Sequence, residues 1–500
     1  MRNPHGRRLV RLIVACIMVS SVAAANAATY YVATNGNDSN SGSSSQPWRT
    51  LQKAANTARA GDLVLVANGT YVGMYITADG TTTAPITFRA NGNNVLVNAR
   101  NATTPDNINV EGGNYVIIEG FIVEDAPRIG IRAVIATGVK IRNNIVRRSG
   151  LTGILTGYTP SIEISGNSAS GSGQEHGIYI GNSTSPADNP IVRGNESFDN
   201  NQNGIQLNGD CWVGGDGIIS GAILEDNVVH HNNWKGFSLI SVQNSTIRNN
   251  LIYENGLSAG AGGIHLADQP NCSKPSNSNI VVNNTIHEPR ITGIRLSNGS
   301  TANTIFNNLV VASTLSYTIV DEGSGNFIDS ASNIKLSSLS GLFVSPGSED
   351  YHLASSSAAL NRAVTTYRSA NAPVDDIDGT NRPQGPLPDV GAYEFATSTA
   401  VGDAPLANVI LEQNAPNPFN PSTRIVYVVE SPTAVQVNLD VFDVSGRRVR
   451  QLAKDRPSMG QVVVAWDGRD DAGGEVSSGV YFYRLVAGST TITRRMTLLK

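Results

Sequence analysis

The chain has 500 residues and a formal charge of −4, with 40% hydrophobic and only 15% charged residues. That is too long for one ordinary domain and apolar enough to bury a core. Low charge with abundant Gly, Asn, Ser and Thr argues against long amphipathic helices and suits strands and turns.

The first residues read as an export address. Arg2, Arg7, Arg8 and Arg11 precede an apolar run over residues 12–24, and Ala25-Asn26-Ala27 is a small-x-small cleavage site. Residues 1–27 are therefore expected to be a signal peptide. Ile13-Val14-Ala15-Cys16 loosely fits a lipoprotein box, although Arg11 would leave it almost no apolar stretch. No other run reaches the ~18 apolar residues that cross a bilayer. Losing the leader takes four arginines away and moves the charge from −4 to −8. Residues 413–500 hold 11 Lys/Arg and 8 Asp/Glu, which leaves about −11 on residues 28–412. Nucleic acid is thus not an expected partner. Only Cys211 and Cys272 remain after the leader, and an oxidising compartment favours a disulfide between them.

Next comes "TLQKAANTARAGD" (50–62), an amphipathic helix suited to capping the end of a stacked fold. From there the chain repeats "aliphatic-x-x-Asn, aliphatic" at Asn144, Asn167, Asn195, Asn227, Asn250, Asn284 and Asn308, with Gly120 in the same slot earlier. The spacings are 24, 23, 28, 32, 23, 34 and 24. A Gly-Ile or Gly-Phe pair follows most of them 9 or 10 residues on, at Gly130, Gly153, Gly177, Gly204, Gly236 and Gly293, with only Gly263 straying to 13. A period of this length with short alternating strands predicts a β-solenoid. Stacked asparagines suit its corners, because the residue tolerates turn conformations and its amide can donate to one neighbour while accepting from another. Ile131, Ile154, Thr156, Ile178, Ile180, Ile205, Leu207, Phe237, Leu239, Ile264, Leu266, Ile294 and Leu296 should point inward.

These repeats resemble the right-handed parallel β-helix superfamily that includes pectate lyases and alginate-modifying enzymes. The opening at residues 30–71 is similar to the start of many secreted bacterial members, and "DDIDGTNRPQGPLPDVGAYEF" (375–395) to the segment that closes such helices. The resemblance covers residues 28–396 and implies an all-β fold, a right-handed parallel β-helix. After a loose linker (397–412), residues 413–500 alternate strands with Gly/Asp turns, as in a small β-sandwich. Their motifs resemble the Ig-like C-terminal sorting domain of type IX secretion substrates, itself similar to flagellar-hook-cap domains. That resemblance implies recognition by outer-membrane secretion machinery and a secreted or surface-attached, extracellular protein, expected to act as a monomer.

Stacking sets equivalent residues side by side, so a groove can be read from the register. Thr152, His176, Asn203 and Lys235 precede successive Gly-Ile markers. Arg132, Leu155, Tyr179, Gln206, Ser238, His265 and Arg295 should face outward. Asn182, Asn208, Asp210, Asp216 and Asp268 lie farther along on loops, and two insertions (210–221 and 267–278) bring Trp212, with Trp234 nearby. Aromatic and polar side chains converging on one face suggest a carbohydrate groove. Elimination from a uronate polysaccharide needs a base and a positive group or Ca²⁺ to stabilise the enolate. Lys235 is the expected base and His176 the acid or second base, with His265 and Arg295 assisting. Tyr179, Asn182, Asn203, Gln206, Asn208, Trp212 and Trp234 are the expected substrate contacts, and Glu175, Asp210 and Asp216 would supply oxygens to Ca²⁺. A non-catalytic glycan-binding or adhesive surface protein is the alternative. The chain lacks the Gly-His-Gly and Arg-Ile-Lys set of polygalacturonases, the Asp-Pro-His block of mannuronan epimerases and the Glu-x-Glu-x4-Lys run of one alginate lyase class. Arg193, Glu225 and Arg248 share one outward slot and should form an ion-pair row. His230-His231 sits in a turn with no third ligand at zinc spacing.

Overall fold

The computed structural model describes residues 27–181, 188–212, 215–258, 262–269, 272–297, 299–395, 408–430, 435–443, 448–487 and 490–499. The leader, except Ala27, most of the linker, and Asn182 lie outside them. The chain divides into two compact units, 1–396 and 397–500.

The larger unit is a parallel β-solenoid. Each regular turn supplies three short strands. One sheet stacks ten strands, from Met74–Ile76 to Ile319–Asp321, and carries the Gly-Ile marker. The other two strands of a turn, such as Ile223–Glu225 and Val228–His230, flank the asparagine corner and continue in parallel register from turn to turn. The predicted inward residues are buried, and most have no exposed surface at all. The predicted helix forms as a single short element, Leu51–Thr57, whose Thr50 side chain caps the Lys53 amide. Its Leu51, Ala54 and Ala55 close the end of the core. Coiling begins well before the marked repeats, with Thr29–Val32 paired to Leu63–Val72. Those early turns carry no asparagine marker, which is why the spacing missed them.

The corner explains the paired asparagines. Each Nδ2 in the row Asn144, Asn167, Asn195, Asn227, Asn250, Asn284 and Asn308 donates to the next Oδ1 at 2.9–3.0 Å, ending on Asn333. The backbone N–H of each donates to the same oxygen, as Asn250 does to Asn284 at 3.0 Å. The residue just before each takes the left-handed turn: Asn143, Gly166, Gly194, Asp226, Asn249, Asn283 and Asn307 all have φ between 51° and 65°. One residue bends the chain and its neighbour stacks, so turning and stacking are divided between two positions. Asn249 and Asn283 do a third job: their Nδ2 groups hold carbonyls of the closing segment at Asp375 (2.9 Å) and Asp389 (3.2 Å).

Two further ladders occupy other corners. Asn200, Asn232 and Asn255 stack in turn and end on the carboxylate of Glu288, while Asn279 donates to Asn303 and Asn303 to Asn326. Arg248 and Arg193 flank Glu225 at 2.6 and 3.7 Å, the expected ion-pair row. The smaller unit is a sandwich of two antiparallel sheets, with three and four strands, closed over Trp466, Tyr427, Tyr483 and Met496.

Candidate functional site

Strand register places Arg132, Leu155, Tyr179, Gln206, Ser238, His265 and Arg295 in one row, each beside the next. Adjacent strands stand about 4.8 Å apart, so the row forms a strip along the outer face of the ten-stranded sheet. His176, Asn203 and Lys235 form a second row beside it. The Lys235 N–H donates to Asn203 Oδ1 at 3.1 Å, and Asn203 Nδ2 donates to Gln206 Oε1 at 2.7 Å. The backbone N–H of Asn203 lies 3.3 Å from His176 Nδ1. That nitrogen therefore accepts, and the neutral ring keeps its proton on Nε2.

Lys235 is the chemically distinct member. Among the described residues no carboxylate forms an ion pair with its ammonium. Burial and then the Arg295 charge hold its pKa below the ordinary lysine value. Both neighbouring histidines are buried, not laid out on an exposed strand. Burial, then Lys235, pushes His176 down to about 3, and burial, then Lys235 and Arg295, does the same to His265. Neither ring is charged at neutral pH, so neither can serve as an imidazolium acid. His176 can still donate its Nε2–H as a neutral group, while His265 Nε2 meets Ser297 Oγ at 2.7 Å and its buried Nδ1 has no partner. Arg295 is already gripped by Glu322, at 2.8 and 3.3 Å.

The substrate-contact candidates fall into two groups. Tyr179 stacks on His176 with ring centres 5.5 Å apart and accepts from Asn208 Nδ2 at 3.2 Å. It lines a cavity of about 250 Å³ together with Arg132, Leu155, Tyr158 and Asp210. Trp212 and Trp234 instead stand in solvent, 65% and 41% exposed, so burial of Lys235 does not rest on a closed aromatic roof. The two insertions are joined by the Cys211–Cys272 disulfide. A larger hollow of about 390 Å³ opens beside the capping helix, lined by Thr34, Arg49, Gln52 and Tyr71 and by no carboxylate.

The expected Ca²⁺ ligands are not brought together. Glu175 accepts from Thr152 Oγ1 at 2.9 Å, whereas Asp210 and Asp216 accept the backbone N–H groups of Trp212 and Ile218, both at 3.0 Å. Among the described residues, the His/Cys/Asp/Glu trio whose ligand atoms do converge is His230, His231 and Glu349. The sequence hid this because the third ligand lies far down the chain.

The stacked three-strand coil is a parallel β-helix that carries a polar, titratable strip on its outer face. The Pel9A-like right handed beta helix region matches residues 30–326, and the chain belongs to that family. The FlgD Ig-like domain matches residues 423–491. Among solved structures, pectate lyase Pel9A is similar, with a TM-score of 0.56 and 17% identity over 73% of this chain and 96% of that one. A rhamnogalacturonan lyase gives 0.45 at 17% identity, over 63% and 90%. The uncharacterized protein YwoF of Bacillus subtilis (strain 168) is 26% identical over 234 residues, 44% of this chain and 46% of that protein. The chain thus spans about half the length of this curated relative.

Proposed function

We propose that this is an exported polysaccharide-active protein, a lyase acting on an acidic polysaccharide along the strip centred on Lys235. The observation that carries the reading is the Lys235 amine: partly buried, without a carboxylate partner among the described residues, and with its proton already weakened by burial and Arg295. A base needs that combination to be neutral near working pH. In the proposed step, neutral Lys235 removes the proton on the carbon beside a uronate carboxyl group. The electron pair forms the new double bond and expels the glycosidic oxygen, which His176 Nε2–H or water protonates. Arg295, whose charge reaches Lys235, lends positive field to the carboxyl as it gains charge. Because Glu175, Asp210 and Asp216 do not converge, no step is routed through Ca²⁺. Family membership supports the polysaccharide setting, and the FlgD-type unit at residues 423–491 supports export through outer-membrane machinery of the type IX class.

A second reading, a glycan binder without catalysis, is favoured by the exposed Trp212 and Trp234, which suit stacking on sugar faces. The deciding experiment incubates the purified chain with pectin, alginate and glycosaminoglycans, with and without added Ca²⁺, and follows ultraviolet absorbance. Unsaturated products support the lyase; affinity with no product from any of these substrates supports the binder. Deleting residues 413–500 should leave the solenoid folded and abolish export to the surface. Unchanged export would remove the sorting role.

A further inference from the structure

We propose that His230, His231 and Glu349 form a binding site for a divalent transition metal, Zn²⁺ being the best fit, which fastens the segment around Pro346–Ser348 to the side of the solenoid. His230 ends a coil strand and His231 follows it. Successive strand residues ordinarily point to opposite faces. Here His231 is left-handed, with φ 52°, and the turn brings its ring back beside its neighbour. The two Nδ1 atoms face each other at 2.8 Å, and Glu349 Oε1 lies 3.9 Å from His231 Nδ1. With Zn–N bonds of about 2.0–2.1 Å, two tetrahedral nitrogens sit ~3.3 Å apart, so the rings need to part by only ~0.5 Å.

The outer contacts are those a metal site requires. His230 Nε2 faces Glu196 Oε1 at 3.4 Å, and His231 Nε2 faces Glu254 Oε2 at 3.4 Å. Each ring therefore has a carboxylate on the nitrogen that a metal would not use, which orients it. Tyr253 hydrogen-bonds Glu349. The His230 ring is also fixed between Phe198 and Tyr253, with centres 5.0 and 4.7 Å away and planes within 3° of parallel. Glu349 itself is left-handed, φ 62°, at the end of the turn Pro346–Ser348. Two left-handed residues thus help bring two imidazoles and one carboxylate to one point, a three-ligand donor set for Zn²⁺ with a fourth coordination position left to solvent.

The test uses the full chain, stripped with chelator and titrated calorimetrically with Zn²⁺, then with Co²⁺ as a visible-absorbance probe of tetrahedral nitrogen ligation. One Zn²⁺ per chain is expected, with a rise in Tm on loading. Glu349→Gln, at a half-exposed side chain, and His231→Ala should each weaken Zn²⁺ at least ~10-fold, with the metal-free Tm of Glu349→Gln unchanged. His352→Ala, in the separate His352–Asp350–Asp378 cluster, should bind as the native chain does. Absence of stoichiometric binding overturns the site. So does affinity that survives both Glu349→Gln and His231→Ala, or that is lost only with His352→Ala. None of these readouts depends on lyase activity.

Discussion

The asparagine corner and the outer strip of the ten-stranded sheet are built by the same stacking, and they behave as opposites. At the corner the same residue recurs, and each amide donor finds an oxygen on the next turn. On the strip the residue changes at every turn, from Arg132 through Tyr179 and Gln206 to His265 and Arg295, and polar atoms such as Ser238 Oγ and His265 Nδ1 stay buried without partners. Identical stacked amides satisfy one another along the whole row, whereas unlike neighbours on the strip leave these two atoms unpaired.

Lys235→Ala should give the widest break between the two regions. For a lyase with Lys235 as base, turnover should fall ~10²–10⁴-fold while Tm stays close to native, because the side chain lies outside the core. Product formation at the native rate would remove Lys235 from the mechanism. Since the amine must be neutral to act, the rate should rise with pH and level off below the ordinary lysine range, in keeping with its lowered pKa. His176→Ala probes the neutral donor, and its loss should leave the position of that pH rise nearly in place.

At the corner, Asn250→Leu should cost ~1–3 kcal/mol in stability with the strip unaltered. Asn227 would lose the acceptor for both its backbone and side-chain N–H groups, and the Leu224 and Arg248 carbonyls would lose a donor. Chemical denaturation reads this directly, and an unchanged midpoint would mean that the ladder adds nothing.

How far the sequence was legible follows the same division. The row from Asn144 to Asn308 could be read because its residue type and spacing recur, and the inward Ile and Leu positions followed from strand alternation. The ladders through Asn200 and Asn279 escaped because Ser245 and Glu288 interrupt their chemistry. On the strip, register alone aligned Tyr179, Gln206 and His265. Burial of His176 and His265 depends on the neighbouring turns and insertions, which spacing does not encode. Glu349 joins His230 and His231 only because the turn Pro346–Ser348, which follows the last regular coil, lies back against the coils.

Glu288 gives the comparison a pH dimension. It ends an asparagine ladder, receiving the Asn255 backbone and side-chain N–H groups at 2.9 and 2.8 Å. Complete burial nevertheless outweighs those bonds and raises its pKa to about 8. An acid with a raised folded pKa keeps a proton that the unfolded chain releases, so its contribution to stability falls as pH climbs from about 4.5 to 8. Thermal melts across that window should show the decline, and Glu288→Gln should flatten it. An equal slope in the variant would assign the effect to other groups.

The smallest effect should come from the ion-pair row. Glu225 is nearly buried, but Arg193 and Arg248 keep 45% and 39% of their side chains exposed, so water and salt screen the attraction. Glu225→Gln removes the charge and keeps the shape, leaving two arginines on alternate turns with an amide oxygen between them. The expected loss is ~0–1 kcal/mol, shrinking further in high salt. A larger, salt-independent loss would mean that Glu225 acts as a buried hydrogen-bonding group, as the asparagines do, and that this outward row belongs with the corner.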